Sequence, residues 1–318
     1  MNVVSGDVAV IVPTLRRPES LRRALLSLFA QGRVADRVRE IVVVDNDPLG
    51  SAAATVSDLS ADSPWPLLYR HAPRPGVATA RNTGLQATDA PLIAFLDDDE
   101  AAEPHWLHAL LDALENCGAD VVFGPIRGQA PDAADWIRPY LEAFFGRSGP
   151  VHSGLIDHPY GCGNSLMLRR TALPGPAPFD TASDQTGGED DALFAALAAR
   201  GGRFGWAAEA WADEFAPAHR ATLAYALARA FAYGQGPSQT AAARRDWPAV
   251  GRWMLIGAAQ TLAWSCAAAT YLLIRSPRRA IAMDRTARGL GKLFWMKGLE
   301  PQFYGTRELA RLNASTPA

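Results

Sequence analysis

Short apolar runs rich in β-branched residues alternate, along the first half of the chain, with segments whose apolar residues recur at helical spacing. Val8 to Val12 is the first such run, closed by Pro13; Leu21, Leu25, Leu28 and Phe29 then fall on one face of a helix. Glu40 to Val44 predicts a second strand, ending at Asp45-Asn46-Asp47-Pro48. A weaker strand at Pro66 to Tyr69 precedes a helix from Gly76 to Gln86. A strand at Pro91 to Leu96, a helix at Pro104 to Glu115 and a strand at Ala119 to Phe123 complete the series. Strands alternating with amphipathic helices predict an α/β fold built on a parallel sheet. Ligands of such sheets sit beyond the carboxyl ends of the strands. Two acidic clusters, "VDND" and "LDDDE", fall at such ends.

The pattern then loosens. Residues 125–160 are rich in Pro, Gly, Asp and aromatics and read as a loop-rich insertion with one short helix. "GCGNSLMLRR" is a glycine turn leading into a strand. "GGEDDALFAALAARGG" opens a helix whose first turn holds Glu189, Asp190 and Asp191, where the helix dipole favours negative charge. "RFGWAAEAW" adds a strand or sheet edge. Ala221 to Tyr233 predicts an apolar helix interrupted by Arg229. From Trp253 to Ile274 no residue is charged, and these 22 residues are enough in length to cross a bilayer. There is no internal repeat.

Composition narrows the classes. Of 318 residues 48% are hydrophobic and 20% charged, which supports a sizeable core and argues against global disorder. A net charge of −2 excludes bulk nucleic-acid binding, which needs a basic excess. Three scattered cysteines, Cys117, Cys162 and Cys266, have neither disulfide-framework nor metal-ligand spacing and point to a reducing compartment. "MNVVSGDVAVIVPT" does not read as a secretory leader, so the catalytic part is expected to face the cytosol. Acids concentrate between residues 89 and 214, whereas Arg and Lys dominate from Arg275 to Arg311. That asymmetry predicts an ion-binding catalytic half and a basic tail near an anionic surface.

The strongest local signal is "FLDDDE", four consecutive acids at the mouth of an apolar strand. Adjacent carboxylates repel, the more so as water is removed. Either water solvates them, as in an acidic turn opening a helix, or a cation belongs there. Asp97 and Asp99, two positions apart, suit a hard cation such as Mg²⁺ or Mn²⁺, which takes oxygen ligands and leaves positions open for phosphate. No Gly-x-Gly-x-x-Gly follows the first strand and no Gly-x-x-x-x-Gly-Lys-Ser/Thr occurs, so nucleotide phosphates would not rest in a glycine cradle. Arg81 reads either as a site residue or as a surface ion pair, Asn82 either as a site residue or as a polar cap, and Glu189-Asp190 either as site residues or as helix N-terminal charges.

Taken in order, "VAVIVPTLRRPESLRRALLSL", "EIVVVDND", "GVATARNTGL", "FLDDDE", "GCGNSLMLRR" and "GGEDDALFAAL" resemble the glycosyltransferase family 2 domain. Within it they are similar to the bacterial exopolysaccharide, succinoglycan-type branch. The resemblance runs over about residues 7–235. It implies a GT-A, Rossmann-like nucleotide-diphospho-sugar transferase fold over 1–235, with a nucleotide-sugar half to about 124 and an acceptor half over 125–235. A helical basic extension at 236–318, expected to associate with a membrane, would follow.

Residue by residue, the resemblance implies that Pro13, Thr14, Asp45 and Asn46 edge the nucleoside, with Asn46 standing where many relatives have Asp. Arg81 and Asn82 would lie by the nucleotide, together with Asp97 and Asp98. Asp97 and Asp99 match the Asp-x-Asp metal motif, Gly163 and Asn164 the loop near donor sugar and acceptor, and Asp190 the catalytic base of inverting members, with Glu189 beside it. The implied reaction moves one hexose from a nucleotide-diphosphate sugar, a UDP-sugar foremost, to an acceptor hydroxyl on a saccharide or polyprenyl-linked carrier, with Mg²⁺ or Mn²⁺. Processive relatives carry Gln-x-x-Arg-Trp; the matching region here, "ALARAFAYGQG", lacks it, so addition of a single sugar is expected.

Two rival readings differ in class. A nucleotidyltransferase would carry a basic glycine-rich signature where this chain has "VPTLRRPES". A catalytically inactive scaffold of a polysaccharide synthesis complex would not need Asp97, Asp99 and Asp190 intact. For 253–274, a single crossing would export a basic tail, against the positive-inside tendency. A hairpin or in-plane helix keeps both basic flanks at anionic lipid, with Trp253, Trp264 and Trp295 suited to the interface. A helix buried on the catalytic domain or on a dimer partner is the soluble alternative. The reading favoured is peripheral or monotopic attachment at the cytoplasmic face of the bacterial inner membrane.

Overall fold

The computed structural model describes residues 6–315. The first five residues of the stretch read for a leader, and the last three of the C-terminal extension, lie outside them. The strands are β1 Val8–Thr14, β2 Val38–Asp45, β3 Leu67–His71, β4 Leu92–Phe95, β5 Glu100–Ala102, β6 Val121–Phe123, β7 Ile126–Gln129, β8 Gly154–Ile156, β9 Ser165–Leu168, β10 Phe204–Trp206 and β11 Ala212–Phe215. The helices are α1 Pro18–Phe29, α2 Ala53–Leu59, α3 Val77–Gln86, α4 Trp106–Cys117, α5 Arg138–Phe145, α6 Arg169–Ala172, α7 Glu189–Ala199, α8 Leu223–Ala243, α9 Trp247–Leu273, α10 Arg279–Leu293 and α11 Gly305–Ser315.

By contacts the chain divides into two compact units, one of Met1–Arg127, Gly146–Phe215 and Gln302–Ala318, the other of Gly128–Phe145 and Ala216–Pro301. The boundary expected at 235/236 lies inside the continuous helix α8.

In the first unit an eight-stranded sheet runs in the order β3-β2-β1-β4-β9-β6-β10-β8. Strands β3, β2, β1 and β4 are mutually parallel, as the alternation of strand and helix predicts. Strand β9 departs from that pattern: it is antiparallel to both β4 and β6. Its first residue, Ser165, pairs with Phe95 and Phe123, the last residues of those strands. The turn entering β9 is therefore delivered to the carboxyl end of β4, where the acids begin. A second sheet orders β5-β11-β7.

Period-two alternation along β1 feeds two cores. Val8, Val10 and Val12 pack with Leu21, Leu25, Leu28 and Trp106 on one face, while Ala9 and Ile11 pack with Leu85, Phe95, Phe179 and Phe194 on the other. Helix α3 lies close on that second face. A Cβ on its Gly84 would meet Ile11 Cγ2 at 2.5 Å, so nothing larger than glycine fits without a shift.

In the second unit Ala130, Ile137, Leu141, Ala226 and Ala280 form the core. Helices α8 and α10 come together where Gly234 and Gly291 leave no room for a Cβ. Helix α9 alternates its large apolar residues with Gly, Ala, Ser, Thr and Gln. Among the described residues no helix is long and apolar enough to cross a membrane.

Candidate active site

The acids after β4 lie within a compact network of charge. The Thr14 hydroxyl, at the end of β1, donates to Asp98 Oδ2 at 2.7 Å. Arg17 caps α1 just beyond, and its Nη1 donates to both Asp98 Oδ1 at 2.8 Å and Asp99 Oδ2 at 2.7 Å. On the other side Arg81 Nη2 stands 3.6 Å from Asp97 Oδ1, and Arg81 Nη1 is paired with Glu189 Oε1. Four consecutive acids therefore do not rely on water or a metal ion alone: two guanidiniums supply counter-charge. Arg17 had no role in the sequence reading, and Arg81 reaches the acids from α3. The choice between water and a metal cation that the sequence posed is therefore widened: side-chain cations of this chain already neutralise part of the quartet.

The burial of this network shifts its protonation. Burial pushes Asp97 and Asp98 upward, against the pull of Arg81 and Arg17 respectively. Glu100 is raised well above its ordinary value, by burial and then by the charge of Asp97, and its Oε2 accepts the Asp97 N–H at 3.0 Å. Glu189 is pushed up to about 7 by burial, with Arg81 pulling it back. Its Oε2 is buried without a hydrogen-bond partner.

Gly161, Cys162 and Gly163, the turn before β9, fit between the two acidic sets. The Cys162 N–H donates to Asp190 Oδ2 at 2.9 Å, and the Asp191 N–H donates to Asp190 Oδ1 at 2.9 Å. Asp190 is half-buried, at the start of α7, and both its oxygens are oriented by backbone. A Cβ on Gly163 would lie 2.6 Å from Asp97 Oδ2 and 3.1 Å from Glu100 Oε1. Arg147 braces this turn: Nη2 donates to Gly161 O at 3.1 Å and Nη1 to Asn164 O at 3.3 Å. Arg147 and Glu100 were missed in the sequence as site residues. Arg147 lies in an irregular stretch and acts across the fold, which no local pattern announces.

Several expected contact residues are turned inward. Asn164, with φ of +49°, is fully buried. Its Oδ1 accepts from Trp106 Nε1 at 2.7 Å, while Nδ2 donates to Pro125 O at 2.8 Å and Ala210 O at 3.0 Å. Asn82 donates to Phe179 O at 2.7 Å and accepts from Phe179 N–H at 3.1 Å. Asp45 accepts from the Asp47 N–H, the Ala52 N–H and the Tyr69 hydroxyl, folding the turn after β2 upon itself. Asn46 donates to Ala72 O and Arg74 O, both at 2.8 Å, and accepts from Gly76 N–H at 2.6 Å, so it fixes the entry to α3 and hence Arg81. Pro13 is half-buried at the end of β1, opposite Val44.

The residues brought together are thus Thr14, Arg17, Arg81, Asp97 to Glu100, Gly163, Glu189 and Asp190. Among the described residues no group of three or more His, Cys, Asp or Glu side chains is arranged to hold a metal. Asp97 and Asp99 offer hard oxygen donors, and the glycine at 163 lets the turn before β9 pack closely against Asp97. That set fits Mg²⁺ or Mn²⁺ in the manner of an ion completed by water and phosphate oxygens, and does not fit an all-protein cage.

Residues 9–174 match the family model for glycosyl transferase family 2. The chain is 34% identical to succinoglycan biosynthesis protein ExoM of Rhizobium meliloti (strain 1021), over 94% of this chain and 96% of that protein. It is 36% identical to the pre-mycofactocin glycosyltransferase of Mycobacterium tuberculosis (strain CDC 1551 / Oshkosh), over 33% of this chain and 20% of that one. Among solved structures it overlays on S. aureus TarS 1-349 in complex with UDP-GlcNAc with a TM-score of 0.46 and 16% identity, covering 65% of this chain and 58% of that chain. The mixed α/β sheet with its helical C-terminal region is the GT-A arrangement that the family implies. With the family model spanning just over half its length and one relative matched almost end to end, the chain belongs to glycosyl transferase family 2 and is a glycosyltransferase.

Proposed function

We propose that this chain transfers one hexose from a nucleotide-diphosphate sugar, a UDP-sugar foremost, to a hydroxyl of a saccharide or polyprenyl-linked acceptor, with inversion at the anomeric carbon. The setting is the assembly of an exopolysaccharide of the succinoglycan type at the cytoplasmic face of the bacterial inner membrane. The near end-to-end similarity to the succinoglycan protein supports that setting.

One observation carries the mechanism: a single turn, Gly161 to Gly163, holds Asp190 on one side and lies against Asp97 on the other. Base and diphosphate-binding carboxylates are thereby close but separately held. Asp190, with its oxygens set by the Cys162 and Asp191 N–H groups, takes the proton of the acceptor hydroxyl. That oxygen attacks the anomeric carbon from the face opposite the diphosphate, and the sugar–phosphate bond breaks as the new bond forms. Asp97 and Asp99 would hold Mg²⁺ or Mn²⁺, which supplies charge stabilisation to the departing diphosphate. Arg81 holds Asp97 from behind and pairs with Glu189, which keeps the head of α7, and with it Asp190, against α3. Thr14, Asp45 and Asn46 shape the nucleoside edge, the last two by fixing the backbone turns that line it. Gly163 lets the turn before β9 lie against Asp97, beside the donor sugar.

The test is release of nucleoside diphosphate from a panel of sugar nucleotides, with and without Mn²⁺, on lipid-linked and free saccharide acceptors, with the anomeric configuration of the product read by NMR. Metal-stimulated release with a β-linked product from an α-linked donor is expected. A retained configuration would overturn the assignment of Asp190.

A further inference from the structure

Helix α9 presents two opposite faces that differ in kind. Val250, Gly257 and Ala268 are its buried residues and lie on one side. There a Cβ on Gly257 would come within 2.7 Å of Gly289 O of α10, and Gln260 donates to Arg285 O at 2.8 Å. On the other side Leu255, Leu262 and Leu273 are 74%, 70% and 85% exposed. Their spacings of seven and eleven residues are close to whole numbers of helical turns, so the three leucines form one line. Ile274, 66% exposed, extends the apolar surface past the end of the helix. A water-facing helix normally places charge on this side; here no charged residue occurs from Trp253 to Ile274. An exposed apolar surface of this extent marks an interaction site.

Charge at the two ends identifies what is bound. Arg244, Arg245 and Arg252 are exposed before the uncharged stretch, and Arg275 and Arg278 after it. From 244 to 279 the sequence holds one acid, Asp246, which caps α9 by accepting the Ala249 N–H at 3.0 Å. Were two copies of this helix to pair through their leucines, parallel or antiparallel, arginine-bearing ends would meet arginine-bearing ends. An anionic surface meets the same arginines with opposite charge. Trp247, 61% exposed at the head of the helix, has the amphipathic ring suited to a lipid headgroup layer.

We infer that the Leu255–Leu262–Leu273 line of α9 is the surface by which this protein rests on an anionic lipid bilayer, the helix lying in the plane of the headgroups rather than crossing them. The inference rests on the proposed work at a membrane face and deepens it by naming the face and the lipid charge. Leucines enter the acyl boundary while the flanking arginines engage anionic headgroups. Because the stripe lies on the side of α9 opposite its packed face, binding requires no rearrangement of the second unit.

The test is co-sedimentation of the full chain with vesicles of phosphatidylcholine alone and of phosphatidylcholine mixed with phosphatidylglycerol, compared with Leu255→Gln/Leu262→Gln and Arg275→Gln/Arg278→Gln variants. Binding to the mixed vesicles about tenfold or more tighter than to neutral ones is expected, falling with salt, and weakened about tenfold by either variant. Unchanged thermal midpoints of the variants confirm that the exposed substitutions leave the fold intact. Equal uptake by both vesicle types, equal uptake by wild type and the leucine variant, or a wild-type dimer that the leucine variant dissolves would each overturn the inference. Sugar transfer to a water-soluble acceptor is expected to be the same in all three proteins, so failure on vesicles and failure of the transfer reading remain distinguishable.

Discussion

Arg81 and Glu189 form a buried ion pair between residues 108 apart in sequence, with side chains only 5% and 4% exposed. The pair ties α3, which carries Arg81 toward the acids of β4, to the first turn of α7, which carries Asp190. Taking two charges out of water is unfavourable unless each satisfies the other, and here burial holds Glu189 up to about 7.

That shift sets a pH dependence. Unfolded, the Glu189 carboxyl titrates near its ordinary value of 4.5; folded, near 7. Between the two the native state holds a proton that the unfolded chain has lost, so raising pH favours unfolding. The contribution is complete below about pH 4.5 and gone above about pH 7. Asp97, Asp98 and Glu100 are raised as well and act in the same direction, so the comparison with Glu189→Gln isolates this group. Thermal midpoints measured from pH 5 to 8 are expected to fall more steeply in wild type than in the variant. Parallel curves would contradict the assignment.

Asp190→Asn keeps the shape of the side chain and removes the proton acceptor. Transfer should drop by about 10² to 10⁴-fold, the usual scale of general-base catalysis, with donor affinity unchanged. Single-turnover assays and donor titration of the same preparation check both halves. Turnover near the wild-type rate would mean that another group takes the proton.

Gly163→Ala inserts a methyl where Asp97 Oδ2 and Glu100 Oε1 already stand. Asp97 must move, and displacing a positioned group by about 1 Å is enough for a loss on the order of 100-fold. The residue has no left-handed backbone to strain, so the thermal midpoint should change little. A large fall in stability with activity per folded molecule preserved would show that the glycine serves packing alone.

Asn164→Ala should do the reverse. It deprives Trp106 Nε1 and the carbonyls of Pro125 and Ala210 of their partner, in a place with no access to water, and puts alanine at a positive φ. A loss of about 3 kcal/mol or more in denaturant unfolding is expected from such unsatisfied buried groups.

These contrasts mark what the sequence made legible. Asp97 to Asp99 stood out because an apolar strand ending in acids is a local pattern, and Arg81 because it preceded that strand in family order. The inward use of Asn82, Asn164, Asp45 and Asn46 was hidden, since a polar side chain beside a ligand and one bonded to distant backbone look alike in sequence. Arg17 and Arg147 were hidden for a related reason: each meets its acid or carbonyl partners only after the sheet has formed. The parallel half of the sheet followed from strand–helix alternation, whereas the direction of β9 depends on a pairing that no periodicity encodes. Counting 22 uncharged residues gave length enough for a membrane span, but their Gly, Ala, Ser and Thr content leaves α9 too weakly apolar for one.

Arg17→Met tests the counter-charge directly. Without the guanidinium, Asp98 and Asp99 repel each other, Asp98 keeping the Thr14 hydroxyl and the Leu15 N–H as donors, and the apo protein should melt at a lower temperature. An ion bound only by the folded state stabilises it, so Mn²⁺ should raise the midpoint of the variant more than that of wild type. Equal increments would show that Arg17 and the ion do not share these carboxylates.

The account turns on whether the acids beyond β4 hold the donor's diphosphate through a divalent ion. Calorimetric titration of UDP-sugars into the protein, with Mn²⁺ present and with it chelated, measures this most directly. The expected result is uptake markedly tightened by the ion in wild type and indifferent to it in Asp99→Asn. Uptake identical with and without the ion in wild type would contradict it.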